Sequence, residues 1–417
     1  MRVRLFWTVL LLLTGVLALL YLYFTLFPGV VDPAVGKYFS PEEISAGREY
    51  ARVRRLLYIA SFVIQALILT WLVFSPAGDR LGRAITRLTG DSYLVSTVLF
   101  FLALWLLLRL VMLPFSLYSS YYLEHLWGFS TQSLVGWWSD YLKSAALDVM
   151  LSGLGVVLLF WALGRWPRSW WFAAGSFLGV WLVIANYLWP VVVAPLFNRF
   201  EPVTDPAVVA MVERLAEKAD LEIDQVLVMD ASARTTKANA YFSGLGNTKR
   251  IVLYDTLLQN YPPDEVETVV AHEMAHWKLG HIARGTLYGI LANFVLWFIL
   301  FLVLRSSLGF SRGSYPPHTW AVLMLFFLLI GFVTNPIVNG FSRIMEREAD
   351  AMAFEITSDY TSHVRLQVNL AKRDLADVSP PAFIEWFAYT HPSTMHRIRA
   401  FEELGKMKSK AGSLPGA

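Results

Sequence analysis

The 417-residue chain is 56% hydrophobic but only 16% charged, whereas about 25% of residues are charged in a typical soluble domain. A soluble fold could not bury so much apolar surface, so the composition predicts a polytopic membrane protein in contact with the lipid bilayer. The net charge of +3 does not favour a nucleic-acid partner, and the absence of cysteine excludes disulfides and thiolate metal ligands.

Seven apolar stretches are long enough to cross about 30 Å of hydrocarbon as helices. They lie at 5–27, 56–75, 94–115, 144–164, 171–194, 287–308 and 319–341. The first is long for a signal peptide and no A-x-A-like cleavage site follows it, which favours a retained span. Arginines occur in loops on both sides of the membrane, so charge alone does not fix the orientation.

The spans divide the chain into four predicted parts. These are a five-span membrane region (1–194), a soluble region (195–286), a transmembrane hairpin of spans six and seven (287–341) and a C-terminal region (342–417).

Four polar residues fall inside the predicted spans: Arg109, Asp148, Asn186 and Asn293. Such residues usually face the protein interior or a wet cavity, so together they could line a polar chamber. Alternatively, Arg109 reaches the interface along its aliphatic stem and Asp148 lies near the membrane surface.

The soluble region contains strand patterns. Residues 225–229 form one candidate strand, and Asn239-Ala240-Tyr241-Phe242 and 250–254 read as two strands around a turn at Gly246-Asn247-Thr248. An extended peptide could add to the exposed edge of this hairpin through main-chain hydrogen bonds. The alternative is a hairpin that only packs under the following helix.

His272-Glu273-Met274-Ala275-His276 is the motif on which the functional interpretation depends. Residues four apart share a helical face, so both imidazoles can bind one metal ion. Glu273 lies within reach of a water on that ion, which is the zinc-protease pattern of two ligands and a general base. The alternative interpretation is a helix that carries two ordinary histidines.

The sequence also predicts where this helix begins and ends. It opens at Pro262-Pro263, where Asp264 and Glu267 have capping-box spacing, and Gly280 lies where it could end.

A catalytic zinc needs a third protein ligand. His281 is nearest, but the metzincin pattern requires glycine and histidine at the positions of Leu279 and Ile282. His281 is therefore expected to end the helix or to support a ligand.

Glu346 is the better candidate for the third ligand. Asp350 lies one turn further on the same face, where it can accept the outer N–H of a ligating histidine, whereas Glu348 points elsewhere. Two spans separate His276 from Glu346, so both lie on the same side of the membrane. The alternative is an acidic, solvated helix face. The expectation is one zinc ion per chain, bound by two imidazoles and a carboxylate.

Several motifs together resemble the CAAX prenyl protease type 1 family of integral-membrane zinc metalloproteases, and more distantly the bacterial heat-shock membrane protease. They are the extended metal helix 272–281, the 346–350 acidic element, the 239–242 strand, Glu124 to Ser130, Pro195 to Phe200, and His391-Pro392-Ser393 followed by Arg397.

The resemblance implies a mainly helical fold in which seven transmembrane helices surround a chamber, with a zincin-like catalytic domain that carries a small β-hairpin. It also implies a zinc site on the cytoplasmic side and, in eukaryotic members, cleavage of prenylated C-terminal CAAX peptides. Only about ten residues, near Gly309 to His318, connect spans six and seven. This compact form suggests a bacterial inner-membrane protein, in which prenylation of the peptide or protein substrate is in question.

The resemblance also suggests roles for other residues. His391 is the candidate hydrogen-bond donor to the oxyanion of the tetrahedral intermediate, and Arg397 supports His391 or contacts a carboxylate. Asn239 is expected to form a hydrogen bond with the substrate backbone, beside residues 240–242. Two other functions remain open. One is quality control of membrane proteins, as in the heat-shock protease, and the other is a non-enzymatic transporter or channel with an incidental HExxH motif.

Overall fold

The computed structural model describes residues 2–223, 225–243, 250–308 and 315–412. Within them, seven helices are long and apolar enough to cross a membrane, which confirms the predicted number of spans. They are α1 (Arg2–Leu26), α2 (Pro41–Phe74), α4 (Tyr93–Leu117), α6 (Leu134–Arg165), α7 (Trp170–Leu188), α11 (His281–Leu308) and α12 (Thr319–Thr357).

Shorter helices connect these spans or belong to the region outside the membrane. They are α3 (Pro76–Leu88), α5 (Leu123–Leu126), α8 (Pro206–Ala219), α9 (Asp255–Asn260), α10 (Pro263–Lys278), α13 (Tyr360–Arg373), α14 (Ala382–Ala388) and α15 (Thr394–Gly412).

Large apolar side chains hold the spanning helices together. Phe100 of α4 and Phe326 of α12 are fully buried, and Trp170 of α7 packs edge-on against Trp297 of α11 with ring centroids 5.9 Å apart. Other apolar side chains on the same helices, such as Leu12 and Trp71, are exposed. An apolar outer surface of this kind is what a helix in contact with lipid needs.

The polar residues within the spans bond between helices. Arg109 of α4 forms an ion pair with Asp148 of α6 at 2.5 Å, and Trp105 also donates to Asp148. Asn293 of α11 donates to the Gly175 carbonyl of α7 at 2.8 Å. These contacts tie neighbouring spans together, as polar side chains commonly do in membrane proteins.

A four-stranded sheet lies outside the spans. Its order is β1 (Phe200–Pro202), β2 (Gln225–Met229), β4 (Arg250–Tyr254) and β3 (Ala240–Ser243). β3 and β4 are antiparallel, which confirms the predicted pairing, whereas β2 runs parallel to β4. The predicted turn at 246–248 lies outside the described residues. In the described part of the sheet, β3 is an edge strand and leaves one side open.

The helix that carries the HExxH motif, α10, lies between this sheet and the helix of the seventh span. α10 packs along α12 and against β3, and its buried face includes Val266, Val270 and Met274. These side chains join Ile251 of β4 and Ala353 of α12 in one apolar cluster. α12 continues without a break from the seventh span into the acidic residues, so the span itself positions Glu346 and Asp350.

Candidate metal centre

The helix that carries the two histidines has well-defined ends. α10 begins at Pro263, directly after Pro262, and ends at Lys278. Gly280 follows with a φ of +66°, a left-handed conformation that glycine adopts without a steric penalty. This break confirms the predicted helix end, and it starts α11 in a new direction with His281 as its first residue.

His272, His276 and Glu346 meet at one point. One ligand atom from each lies within 4.8 Å of the other two. The two Nε2 atoms are 3.1 Å apart, and the carboxylate oxygens of Glu346 lie 3.3 Å from His272 Nε2 and 3.4 Å from His276 Nε2. Glu346 Oε2 is buried, and no described residue donates a hydrogen bond to it, although the Nε2 atoms of His272 and His391 lie 3.3 Å away.

This geometry fits a zinc ion. Ligand atoms about 2.05 Å from a tetrahedral zinc are about 3.3 Å apart. The two imidazole nitrogens are separated by a similar distance, and each lies at a similar distance from one of the two Glu346 oxygens, His272 Nε2 from Oε2 and His276 Nε2 from Oε1. A buried oxygen without a hydrogen-bond partner is costly unless something else binds it. Two imidazole nitrogens and a carboxylate oxygen are also a ligand set typical of catalytic zinc.

Behind His272 lies a buried ion pair. His272 Nδ1 is 3.0 Å from Asp350 Oδ1, and Arg397 donates to both oxygens of the same carboxylate. Burial alone would lower the pKa of His272, but its contacts with Asp350 and Glu346 raise the pKa to about 9. In the neutral ring that a metal ion requires, the Asp350 carboxylate beside Nδ1 favours a proton on that nitrogen and leaves Nε2 directed at the metal position.

Behind His276 lies a relay of three side chains. His276 Nδ1 is 2.8 Å from His281 Nδ1, and His281 Nε2 is 3.0 Å from Glu348 Oε2. Arg284 donates to the same oxygen at 2.7 Å. The break at Gly280 makes the relay possible because it turns His281 back toward α10.

Glu273 lies between the histidines and the open edge of the sheet. Desolvation raises the pKa of its carboxyl above the ordinary value, while the imidazoles of His272 and His276 oppose this shift. The backbone N–H of Phe242 in β3 bonds to the same carboxylate. The group is thus placed to exchange a proton with a molecule bound along β3.

The C-terminal motif brings a third histidine to the centre. His391 Nε2 lies 3.3 Å from Glu346 Oε2, and its Nδ1 is bonded to Thr390 Oγ1 at 2.9 Å. The following turn is fixed by Glu385, which accepts from the Ser393 backbone N–H at 2.9 Å.

The structure thus brings together the side chains that the sequence singled out around the metal position. Asn239, Ala240, Tyr241 and Phe242 lie at β3, next to α10. Glu348 does point away from the metal position, but its place in the relay behind His276 was not predicted. Thr390 was also missed, although its position next to His391 was a usable signal.

The fold and this centre define an integral-membrane metallopeptidase, with an HExxH helix outside the membrane and a third candidate ligand on the seventh span. Comparison with known proteins supports this class of enzyme. Residues 202–404 match the family model of Peptidase family M48, and residues 28–199 match that of the CAAX prenyl protease N-terminal region with five membrane helices. The chain belongs to the M48 family of CAAX prenyl protease 1-like metalloproteases.

Individual relatives support this assignment. CAAX prenyl protease 1 of Saccharomyces cerevisiae is 30% identical over 72% of this chain and 70% of its own length. The uncharacterized metalloprotease YhfN of Bacillus subtilis is 26% identical over 89% and 88%. The crystal structure of S. mikatae Ste24p superposes with a TM-score of 0.80 at 26% identity, over 94% of this chain and 98% of that one. These matches confirm a membrane protease that acts on a peptide or protein, and they do not favour a quality-control protease, a transporter or a channel.

Proposed function

We propose that this protein is a zinc endopeptidase of the gluzincin type, with one zinc ion per chain held by His272, His276 and Glu346. The observation that carries this proposal is the convergence of two imidazole nitrogens and the Glu346 carboxylate, whose ligand atoms lie within 4.8 Å of one another, as a zinc site of this ligand set requires. The buried Glu346 Oε2, to which no described residue donates a hydrogen bond, supports it further.

The chemistry requires a general base beside an activated water. When bound, zinc polarises a carbonyl and brings the pKa of a water toward about 7. In this arrangement the Glu273 carboxylate would take a proton from the attacking water and return it to the leaving amine. Its raised pKa suits both steps, because a carboxylate with a higher pKa is a stronger base and its acid form persists closer to neutral pH.

Other side chains act on the developing charge and on the ligands. His391 donates from Nε2 to the carbonyl oxygen as that oxygen becomes negative. Thr390 favours this tautomer when its hydroxyl donates to His391 Nδ1. Asp350 holds the ring of His272, and Arg397 holds Asp350. Arg397 is thus a positioning residue.

The substrate binds as an extended peptide along β3. No further strand of the described residues pairs with β3. A peptide that adds there would exchange main-chain hydrogen bonds with β3 in place of the contact between the Ala240 N–H and Asn239 Oδ1 at 2.9 Å. Relatives named CAAX prenyl protease suggest a substrate whose C-terminus carries an isoprenyl group. We place the protein in a bacterial inner membrane with the zinc site on the cytoplasmic side, on the basis of its short 309–318 connection and its family resemblance.

Replacing Glu273 by Gln tests the proposal most directly. The variant should retain about one zinc per chain and lose peptide cleavage by a factor of roughly 10² or more, since general-base catalysis contributes about 10²–10⁴-fold. Zinc content by elemental analysis and cleavage of a quenched peptide are the measurements.

The matched control is Glu267→Gln, on the same helix but paired with Arg214, which should retain both zinc and activity. Full activity in the Glu273→Gln protein would remove Glu273 from the mechanism. A farnesylated peptide assayed beside its unmodified twin shows whether the lipid group matters.

A further inference from the structure

A cavity of about 450 Å³ lies between the spans α6 and α7, and Trp297 of α11 and Trp320 of α12 also line it. Small residues such as Gly155 of α6 and Ala173 and Ala174 of α7 face it. Small residues usually let transmembrane helices approach closely, but here a gap remains between the two spans. We call this cavity the α6–α7 groove, and it has room for a molecule that is not part of the chain.

The lining of the α6–α7 groove fits an apolar chain rather than water. Among the described residues, Ser152 is the only polar side chain besides tryptophan that lines it, and the Ser152 hydroxyl already bonds to Asp148 Oδ1 at 3.1 Å. A buried water needs about two to four polar partners, and apolar cavities stay dry. Leu154 and Phe177 line the groove and are exposed, so it is open at the surface of these two spans.

Two buried N–H groups indicate that the occupant also carries a hydrogen-bond acceptor. The indole Nε1 atoms of Trp297 and Trp320 are buried, and no described residue accepts a hydrogen bond from either. An indole N–H can only donate, and leaving it unsatisfied in a buried position costs free energy. Because both rings line the groove, an oxygen atom of a bound molecule is the acceptor that these groups lack.

The outer end of the groove lies at the membrane surface opposite the metal centre. Trp166 lines the groove directly after α6, and its ring packs edge-on against that of Trp161 with centroids 5.0 Å apart. Tryptophans are typical of the membrane–water interface. Trp170, the first residue of α7, packs against Trp297, so one of the unsatisfied N–H groups belongs to a ring near this end. The single span α7 separates this end from the soluble region, so the two lie on opposite sides of the membrane.

Two arginines flank the same end of the groove. Arg165 and Arg168 lie on either side of Trp166, both are exposed, and neither forms an ion pair or a side-chain hydrogen bond with a described residue. Guanidinium groups form strong, often bidentate hydrogen bonds with phosphate. From Trp166 to Leu151 the groove follows α6 for about 22 Å, at about 1.5 Å per residue. One leaflet contributes roughly 15 Å of hydrocarbon, so the groove is long enough for an acyl chain that starts at the arginines.

We propose that the α6–α7 groove binds a membrane phospholipid with an anionic headgroup. One acyl chain lies along the groove, an ester oxygen accepts a hydrogen bond from Trp297, and the phosphate pairs with Arg165 and Arg168. A zwitterionic headgroup fits less well, because its own cation faces two arginines. The isoprenyl group of a substrate also fits less well, because it carries no anion and the arginines lie across the membrane from the metal centre.

The test uses the full-length protein in detergent, mixed with equal amounts of phosphatidylglycerol and phosphatidylcholine that carry the same acyl chains. Native mass spectrometry counts the lipids that each chain retains, and it requires no turnover. The wild-type protein should retain one phosphatidylglycerol molecule. It should prefer this lipid to phosphatidylcholine by roughly tenfold, since hydrogen bonds to charged groups contribute on this scale.

Gly155→Phe tests the groove itself by filling it. A Cβ added at Gly155 meets no other atom within 4 Å, so the new side chain enters the groove without moving the backbone. Retention of both lipids should fall by about tenfold or more, because an excluded acyl chain loses the burial of several methylene groups. The matched control is Gly164→Phe on the same helix, where an added Cβ is equally free but lies outside the groove. It should retain lipid as the wild type does.

The double variant Arg165→Gln, Arg168→Gln tests the headgroup. It should still retain lipid in the groove but lose the preference for phosphatidylglycerol. The control is Arg80→Gln, Arg87→Gln, because both arginines are exposed on α3, on the same side of the membrane, and lie outside the groove. This control makes the same change in charge and should keep the preference.

The absence of a retained lipid in the wild type overturns the proposal, as does equal retention in the wild type and Gly155→Phe. A preference for phosphatidylglycerol that survives the loss of Arg165 and Arg168 would also overturn it. If a farnesylated peptide displaces the retained lipid one for one, the groove belongs to the substrate and the proposal is wrong. Because none of these measurements needs cleavage, an inactive protein that retains the lipid would count against the peptidase function alone.

Discussion

The two histidines of the HExxH helix are supported in different ways. His272 is backed by Asp350 and Arg397, whose side chains are only 8% and 14% exposed. His276 is backed by His281, which is 4% exposed, but that relay ends in Glu348 and Arg284, which are 38% and 39% exposed. One support is therefore a buried ion pair, and the other begins inside the protein and ends in solvent.

The difference shows which imidazole depends more on its support. Removing one member of a buried ion pair leaves an uncompensated charge, at a cost of about 3–5 kcal/mol. A partly exposed pair contributes about 1 kcal/mol or less, because water replaces it. Asp350 also shares α12 with Glu346, so a shift of this helix moves a ligand and a support together. The buried side should thus dominate both zinc affinity and stability.

The largest expected effect comes from Asp350→Ala. Loss of the carboxylate behind a ligating histidine typically lowers metal affinity by about 10- to 100-fold. It also leaves the Arg397 guanidinium buried and unpaired. We expect weaker zinc binding in competition with a chelator and destabilisation by about 3–5 kcal/mol in thermal unfolding.

The double variant Asp350→Ala, Arg397→Met separates these two effects. Removing both charges should recover part of the stability while zinc binding remains weak. A double variant that is less stable than Asp350→Ala alone would show that the buried pair is not the source of the loss.

The next prediction concerns the pH dependence of stability that the buried imidazole of His363 causes. It is 1% exposed and bonded to Thr357 Oγ1 at 2.9 Å, and desolvation lowers its pKa to about 4. The folded state therefore binds a proton at this ring less readily than the unfolded chain does. Its stabilising contribution is therefore complete above about pH 6.5 and is lost as the pH falls toward 4, by about 3 kcal/mol in total. In His363→Gln, the loss of thermal stability between pH 6.5 and 4 should be shallower than in the wild type.

His396→Gln is a control with the opposite sign. The hydrogen bond from His396 to Glu385 raises the pKa of this imidazole, so the folded state favours its charged form. Its contribution is present at low pH and is lost as the pH rises through the folded-state pKa. Replacing it should therefore change the pH dependence of stability above pH 6.5 and leave the slope between pH 6.5 and 4 nearly unchanged. Equal flattening of the acid loss in both variants would contradict the assignment to His363.

The comparison also shows what a sequence can reveal about such a centre. The pairs His272–His276 and Glu346–Asp350 are each four residues apart, so helical periodicity predicts their shared faces. An even number of spans between them predicts that they lie on one side of the membrane. These arguments depend only on spacing and count, which is why the candidate ligands and the seven spans were predictable.

Contacts that depend on tertiary geometry were not predictable in the same way. Asp264 and Glu267 have capping-box spacing, but α10 begins at Pro263 without a side-chain cap. Asp264 instead bonds Ser362 and pairs with Arg365 of α13. Likewise, Glu348 meets His281 only because Gly280 turns the chain. No spacing rule encodes the angle between two helices.

The smallest expected effect is that of Glu348→Gln, which tests the exposed side. The amide keeps the size of the side chain but removes the charge that faces His281 and Arg284, which are bonded to it at 3.0 and 2.7 Å. Because the pair is partly exposed, we expect a loss of stability of about 1 kcal/mol or less and a decrease in zinc affinity of less than about tenfold. Parallel chelator titrations of Asp350→Ala and Glu348→Gln are the measurement. If Glu348→Gln loses zinc as strongly as Asp350→Ala, then burial does not decide which support matters, and the exposed relay must hold His276 as firmly as the buried ion pair holds His272.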